Sequence, residues 1–433
     1  MAKTITPLDC YALINLMTAE SRGLDQTIQA VDGSTFISAG ENLLNTGKEN
    51  ILNTLSIVLG RTLIAVRPYS AKMNIVQAVN GDLYTDRLRK ISYYDDEAIA
   101  SGAFNTQLFT NIAQGYDGDS DNSGASVGGQ WEQKLSYVME FNFATRCVWD
   151  YLITIPLKQI QIAFTSEAEF SKFIGGILTN HANIIEKGKE AWNRAAVLNK
   201  IAATYVMDSS MPGSVVDLTT EFNSANNTNY TSEQLRNQYI KEFTAFMVER
   251  IKLDTEKMQE YTALYHWTPA KNDASGNPLC LSRHTPAGKM KAMIYEPLML
   301  KARCQVFPDI FNPQYLNIDT QYEKVLYWQN FNDPSAIKFK PAIPNVSDPS
   351  EQTAPKDPVE IPYVVGLIFD EDALVTSFDF EGAYSTNVHP RKLYQNTFLH
   401  FAKGCICDQT ENTILYVMTD NDVEPDEDEP VEP

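Results

Sequence analysis

The residues of this chain that could do chemistry are few and poorly assembled. Asp117, Asp119 and Asp121 alternate along a Gly/Ser-rich stretch, the spacing with which carboxylates open a calcium loop. Such a loop needs glycine at its sixth position and glutamate at its twelfth, where this sequence has Asn122 and Gly128. A solvated acidic loop is the better reading. Cys405 and Cys407 would share one face of a strand, with His400 nearby. A zinc site wants a second such pair, and Cys10, Cys147, Cys280 and Cys304 stand singly. Buried packing suits the two thiols better. His181, His266, His284, His389 and His400 form no HExxH pattern, and no GxSxG elbow between a strand and a helix, no Walker A and no strand-linked GxGxxG is present. His181 falls on the apolar face of a long helix and reads as a packed residue. No residue is therefore singled out as catalytic, cofactor-binding or metal-ligating, no cofactor is implied, and the chain reads as a non-enzyme.

One basic stretch remains. Arg67, Lys72, Arg87, Arg89 and Lys90 interleave with Tyr69, Tyr84, Tyr93 and Tyr94, a pattern that could stack on single-stranded nucleic acid. The whole chain argues otherwise: 35 Lys+Arg face 55 Asp+Glu, a net charge of −20. Such a surface repels phosphate, so an extended hairpin lying on an acidic neighbouring subunit is the expectation. A protein that merely encloses DNA is compatible with that charge. Residues 420–433 add Asp420, Asp422, Glu424, Asp426, Glu427, Asp428, Glu429 and Glu432 with no base, which predicts a solvated tail. Six cysteines in 433 residues are too few for a disulfide framework. The N-terminal apolar stretch Tyr11–Met17 is broken by Asn15, so no secretory signal is expected. No run approaches the ~20 apolar residues of a membrane span. A reducing cytoplasm is the expected place of synthesis.

The elements that would position these residues are legible in order. Thr6-Pro7-Leu8-Asp9 is a helix start, Asp32-Gly33-Ser34 and Gly40 read as a break, and Leu44, Ile51, Leu55 and Val58 share one face of a second helix. Gly115–Gly124 and Gly128-Gly129 mark the tip of a long insertion. Alternation at Tyr137, Met139, Phe141 and Phe143, then at Ile153, Ile155, Ile160 and Ile162, predicts strands. Ser166-Glu167-Ala168-Glu169 is a capping box. Behind it, apolar residues from Phe170 to Tyr205 recur every three or four positions, a helix about 60 Å long at ~1.5 Å per residue. Gly175, Gly176 and Gly188 should weaken it, with a bend at Gly188. A rod of that length needs a sheet beside it or neighbouring subunits.

Beyond the rod, Asn223–Asn229 reads as a polar loop. Thr231–Leu253 reads as one helix with the capping pair Thr231 and Gln234. Lys289–Tyr295 reads as a strand and Pro297–Val306 as a short helix. Seven prolines (Pro334, Pro341, Pro344, Pro349, Pro355, Pro358, Pro362) predict an extended surface loop over 331–362. Strands are expected at Tyr363–Phe369, Ala373–Phe380, Thr397–Cys407 and Thr413–Met418. The class is α+β.

Three stretches carry a resemblance. They are Asn50–Arg67, Phe164–Phe173 leading into the long helix, and Leu374–Val417, where Asn387-Val388-His389-Pro390-Arg391 precedes Tyr394, Phe398 and Phe401. In their order the chain resembles the major capsid proteins of tailed bacteriophages, with the Hong Kong 97 (Johnson) fold, nearest the small salasvirus-like podophages. The resemblance implies an N-terminal arm (1–66), an extended loop (67–135) and a peripheral domain with a spine helix (136–207). An axial domain (208–375, with the Pro-rich loop 331–362), return strands of the peripheral domain (376–419) and an acidic tail (420–433) complete it. It further implies copies of the chain in hexamers and pentamers of an icosahedral or prolate head. That head would be assembled in the host bacterial cytoplasm with a scaffolding protein and a portal, and would enclose double-stranded DNA as a virion without a membrane. A nanocompartment shell of encapsulin type is the nearest alternative, a cytoplasmic hydrolase a more distant one.

Overall fold

The computed structural model describes residues 29–46, 88–95, 137–143, 147–156, 167–271, 279–306, 321–344 and 357–420, with residues 11, 12, 14, 15, 73, 77, 78, 158, 159, 162, 352 and 353 between them. Asp32 opens the first described helix, α1 (Gly33–Thr46): its Oδ1 accepts a bond from the Thr35 amide at 2.8 Å. The Asp-Gly-Ser run expected to break the arm is thus a cap, and the helix continues through Gly40. Strands β1 (Gln77–Ala78), β2 (Leu88–Tyr93), β3 (Val138–Phe143) and β4 (Cys147–Pro156) follow. The helix predicted from apolar spacing is α2 (Glu167–Val206), 40 residues in one piece.

Next come β5 (Val215–Asp217) and α3 (Leu218–Asn226). Asp217 caps α3 through a 3.1 Å bond from the Thr219 amide, and Asn227, in the left-handed region at φ 56°, closes it. The polar stretch expected as loop from Asn223 is therefore helical up to Asn226. Thr231 and Gln234 form the reciprocal capping box, but helix α4 (Ser232–Asn237) ends early and α5 (Ile240–Gln259) takes over. The expected single helix is two; it reads as one because the apolar stripe of Leu235, Phe243, Met247 and Ile251 runs on across the break. Strand β6 (Met290–Tyr295) and helix α6 (Glu296–Val306) lie where expected. Then come β7 (Gln321–Val325), β8 (Ile337–Phe339), β9 (Ile343–Pro344), β10 (Gln352–Thr353) and β11 (Val359–Ile361). The Pro-rich segment is thus not all loop: β8 pairs with β11 and β9 with β10, and Ile337 and Ile361 are buried. The chain closes with β12 (Val364–Asp370), β13 (Leu374–Ser385), β14 (Tyr394–Cys407) and β15 (Thr413–Val417).

These strands build two main sheets. One runs β1-β13-β14-β4, antiparallel except for the parallel β1. The other runs β5-β15-β12-β6-β7, so β15 leaves the sheet of its sequence neighbour β14. Every residue of β12 and β15 is buried, the pattern of strands covered on both faces. The main core gathers around them, with Trp328, Phe243, Phe369 and Tyr416 among its largest side chains. The spine helix α2 lies along both sheets, contacting β13 and β14 as well as β15. Its C-terminal half sinks deepest: Val197, Ile201, Ala202 and Ala203 have no exposed surface. Beside its middle, Tyr151 of β4 presses against Gly188, where a side chain would not fit. The glycine read as a weak point makes room for a tyrosine, and the helix passes through it unbroken. β2 and β3 form a hairpin of their own, paired from Leu88↔Phe143 to Tyr93↔Val138.

Candidate assembly surfaces

Alternation along β2 and β3 gives the hairpin two unlike faces. The inner face carries Lys90, Ser92 and Tyr94 from the β2 side, with Met139 and Phe141 opposite. Tyr94, Met139 and Phe141 pack with Met207, Met211, Trp267 and Leu281 in a second core. Phe141 and Trp267 meet with ring centroids 6.4 Å apart. Around this apolar base the hairpin is tied by polar bonds. The Tyr94 hydroxyl donates to the Pro269 carbonyl at 3.2 Å, and the Asp95 amide to the Cys280 carbonyl at 3.0 Å. Lys90 reaches the loop between β14 and β15, with its ammonium 2.6 Å from Asp408 Oδ2 and 2.7 Å from Glu411 Oε1. Arg283 stands 3.5 Å from the same Glu411 oxygen and also bonds Ser92. Burial works against charge on Lys90, but Asp408 and Glu411 outweigh it and raise its pKa. For Asp408 the burial penalty is likewise overcome, by Lys90 and by Thr410, and its carboxyl is held below the usual range. The basic stretch expected to lie on an acidic neighbour therefore spends Lys90 on acids of its own chain.

The outer face of the hairpin is left to solvent. Ile91 (50% exposed), Tyr93 (59%) and Val138 (43%) form an apolar strip on it, with Tyr93 and Val138 directly opposite. β4, the edge of its sheet, exposes further apolar side chains, Val148 (58%) and Leu152 (52%) on one face and Trp149 (51%) on the other. An apolar edge strand invites pairing with another chain and is usually blunted or covered. Beneath Trp149 lies Lys403, 4% exposed, its ammonium 4.4 Å from the Trp149 ring centroid, 5.3 Å from Phe378 and 5.5 Å from Tyr151. Burial lowers its pKa, and ring faces rather than carboxylates receive the charge.

The remaining candidates for chemistry are dispersed. Asp117, Asp119 and Asp121 lie outside the described residues, as do Asn50–Arg67 and Ser166. Cys407 is buried and Cys405 nearly so, and burial pushes both thiols up. His181 is half-buried on α2, and burial lowers its pKa. His266 is enclosed, with Nε2 2.8 Å from the Leu281 carbonyl and Nδ1 3.1 Å from Asn412 Oδ1. His389 stacks on Tyr394 at 5.2 Å, and His400 meets Tyr384 at 5.4 Å. Among the described residues no group of three His, Cys, Asp or Glu could hold a metal ion, and no helix is long and apolar enough to cross a membrane. Asp420 departs from the expected free tail: its Oδ1 accepts from the Ser232 amide at 2.6 Å, at the start of α4, while 421–433 lie outside the described residues. Lys200 escaped notice in the sequence, although its helical spacing from Val197 and Thr204 places it on the buried face.

A long rod between two sheets, a hairpin anchored at its base and apolar on its outer side, and an open apolar sheet edge belong to a shell-building subunit of the Hong Kong 97 type. The sequence model of the Phi29-like phage major capsid proteins matches residues 96–417, and the chain belongs to that family. It is a structural protein of a phage capsid, and neither a nanocompartment shell nor a hydrolase is favoured. Among solved structures it is similar to a chain in the capsid structure of Staphylococcus phage Andhra, at 10% identity and TM-score 0.48, covering 81% of this chain and 85% of that one. It is also similar to a chain in the structure of the head fiber and inner core protein of native bacteriophage P68, at 10% identity and TM-score 0.47, covering 82% and 86%. No curated protein sequence matches it.

Proposed function

We propose that the chain acts without catalysis, as the repeated subunit of pentamers and hexamers that close an icosahedral or prolate head around double-stranded DNA. The supporting observation is the pair of unlike apolar β surfaces, the outer hairpin face at Ile91, Tyr93 and Val138 and the β4 edge at Val148, Trp149 and Leu152. A chain that offers two different surfaces associates head to tail, and such contacts close into rings when the rotation allows. Each contact can be weak, because a shell repeats it many times. The acidic balance suits a container whose wall does not hold phosphate. In the proposed division, 1–66 is the arm and 67–135 the extended loop. Residues 136–207 and 376–419 are then the peripheral domain and 208–375 the axial domain. A scaffolding protein and a portal are the proposed assembly partners, the host cytoplasm the site of assembly and the virion the destination. Co-expression with the neighbouring phage genes, viewed by electron microscopy, tests this: closed heads are expected. A stable monomer in every combination refutes it.

A further inference from the structure

Loop Asp408–Asn412 carries the chain from one main sheet to the other, and three distant segments converge on it. Lys90 arrives from the hairpin, bonded to Asp408 Oδ2 and Glu411 Oε1. Arg283 arrives from the segment before β6, on Glu411 and on the Thr410 carbonyl at 3.2 Å. Lys200 arrives from α2 with no exposed surface and donates to the Asp408 carbonyl and, at 2.9 Å, to Gln409 Oε1. The Trp267 amide bonds the Gln409 carbonyl at 2.7 Å and completes the seat.

The charges at this seat are instructive. Lys90 and Arg283 are matched by the two carboxylates they contact, Asp408 and Glu411. Lys200 is a fifth ionisable group, and the oxygens it touches belong to a carbonyl and an amide. Facing it are Lys90 from the hairpin, Asp408 and Glu411 from the loop, and Cys407 from the end of β14. Burial acts on it most strongly and Lys90 adds to that effect, so its pKa is lowered although Cys407, Asp408 and Glu411 oppose the change. With the hairpin seated, the neutral amine is the form that leaves the cluster without excess charge. If Lys90 leaves, two carboxylates face Arg283 alone, and a proton on Lys200 restores the balance.

We propose that seating the hairpin on loop Asp408–Asn412 is coupled to release of a proton from Lys200, so that acidification unseats the hairpin and alkali holds it down. The proposal rests on the capsid reading in that the hairpin is taken as the base of the outreaching loop. The sign follows from linkage: the unseated state binds one more proton, so the ratio of unseated to seated hairpin rises by up to about tenfold for each unit fall in pH while Lys200 titrates. Asp408 acts in the same direction at lower pH, since Lys90 holds its carboxylate in the charged form.

Hydrogen–deuterium exchange of the full-length unassembled chain, corrected for intrinsic rates, tests the coupling. Peptides spanning 88–93 and 138–143 should lose protection by up to about tenfold per pH unit on acidification through the range in which Lys200 titrates. In Lys200→Met, which cannot take up the proton, protection should stay high and flat over that range. In Lys200→Arg, which cannot shed it, protection should be low and flat; this variant keeps the test decisive if Lys200→Met fails to fold. A flat wild-type profile, or variants that retain the wild-type pH dependence, overturns the proposal. Particle formation does not enter the readout, so a failure of the capsid reading is distinguishable from a failure of the coupling.

Discussion

Replacing Gly188 by alanine would place a methyl carbon 2.0 Å from the Tyr151 hydroxyl oxygen and 3.0 Å from the ring carbon that bears it. Both fall inside the ~3.5 Å that non-bonded heavy atoms prefer. Tyr151 has little room to yield: its ring stands edge-on to Phe401 at 5.5 Å, and its hydroxyl accepts a 3.2 Å bond from the buried Lys403. Overpacking of this kind costs about 1–3 kcal/mol. Displacing the hydroxyl from Lys403 adds about 1 kcal/mol. Alanine regains about 1 kcal/mol in helix propensity. The net expectation is a loss of about 1–3 kcal/mol. The same substitution at Gly176 meets no heavy atom within 4 Å, so there propensity acts alone and Gly176→Ala should gain about 1 kcal/mol. Urea denaturation of the unassembled chain, followed by helical circular dichroism, reads the difference between the two. In a Tyr151→Phe background the oxygen at 2.0 Å is gone, and Gly188→Ala should recover at least ~1 kcal/mol of its loss. A Gly188→Ala protein as stable as wild type or more so would refute the packing argument.

Ile91→Lys on the outer hairpin face, opposite Glu140, should leave the subunit within about 0.5 kcal/mol of wild type yet abolish closed particles in electron micrographs. Asp254, with no exposed surface, accepts from Arg250 at 2.8 Å and from the Tyr416 hydroxyl at 3.0 Å, so Asp254→Ala should cost about 3 kcal/mol, read by the urea midpoint. Tyr363, pushed up to about 12 by burial, contributes stability that is present below the unfolded tyrosine value near 10 and lost as pH rises towards its folded value. Tyr363→Phe should therefore flatten that part of the alkaline unfolding curve.

How far the sequence revealed these arrangements depended on the range of the forces involved. Helix α2 was legible because its apolar spacing repeats for forty residues, and strands β12 and β15 because continuous apolar runs mark doubly covered sheet. The function of Gly188 was not, because the atom that needs its missing side chain belongs to β4. Asp32-Gly33-Ser34 misled for a local reason: the residues that end helices also cap them, and the bond from the Thr35 amide decides between the two. In the Pro-rich segment, prolines masked the strands around Ile337 and Ile361, which pair with one another across it. The seat of the hairpin was the hardest to see. Lys90, Lys200 and Asp408 lie in three different elements, and a lysine on a helix surface looks the same in sequence whether its surroundings are water or a carbonyl. The useful signal was the position of Lys200 beside Val197 and Ile201 on a face that had to be buried.

Burial is unevenly distributed over this subunit, and the unevenness has a physical consequence. The five-stranded sheet satisfies itself: β12 and β15 are buried throughout, and Trp328 donates its indole N–H to the Val364 carbonyl at 2.9 Å. Hydrophobic burial of that extent lets this sheet form within one chain. At the other end, β4 exposes Val148, Trp149 and Leu152, and from Leu152 on exposed and buried residues alternate, with Ile153 and Ile155 buried, so that stretch is packed on one face and open on the other. The hairpin is likewise closed on its inner side and open on its outer side. A single chain gains nothing from leaving those side chains in water, whereas a ring of chains recovers their burial at each contact, at roughly 25 cal/mol per Å². The division therefore sets an order: the core of the five-stranded sheet can form within each chain, while the exposed side chains of β4 and of the outer hairpin face gain burial only where a neighbour covers them.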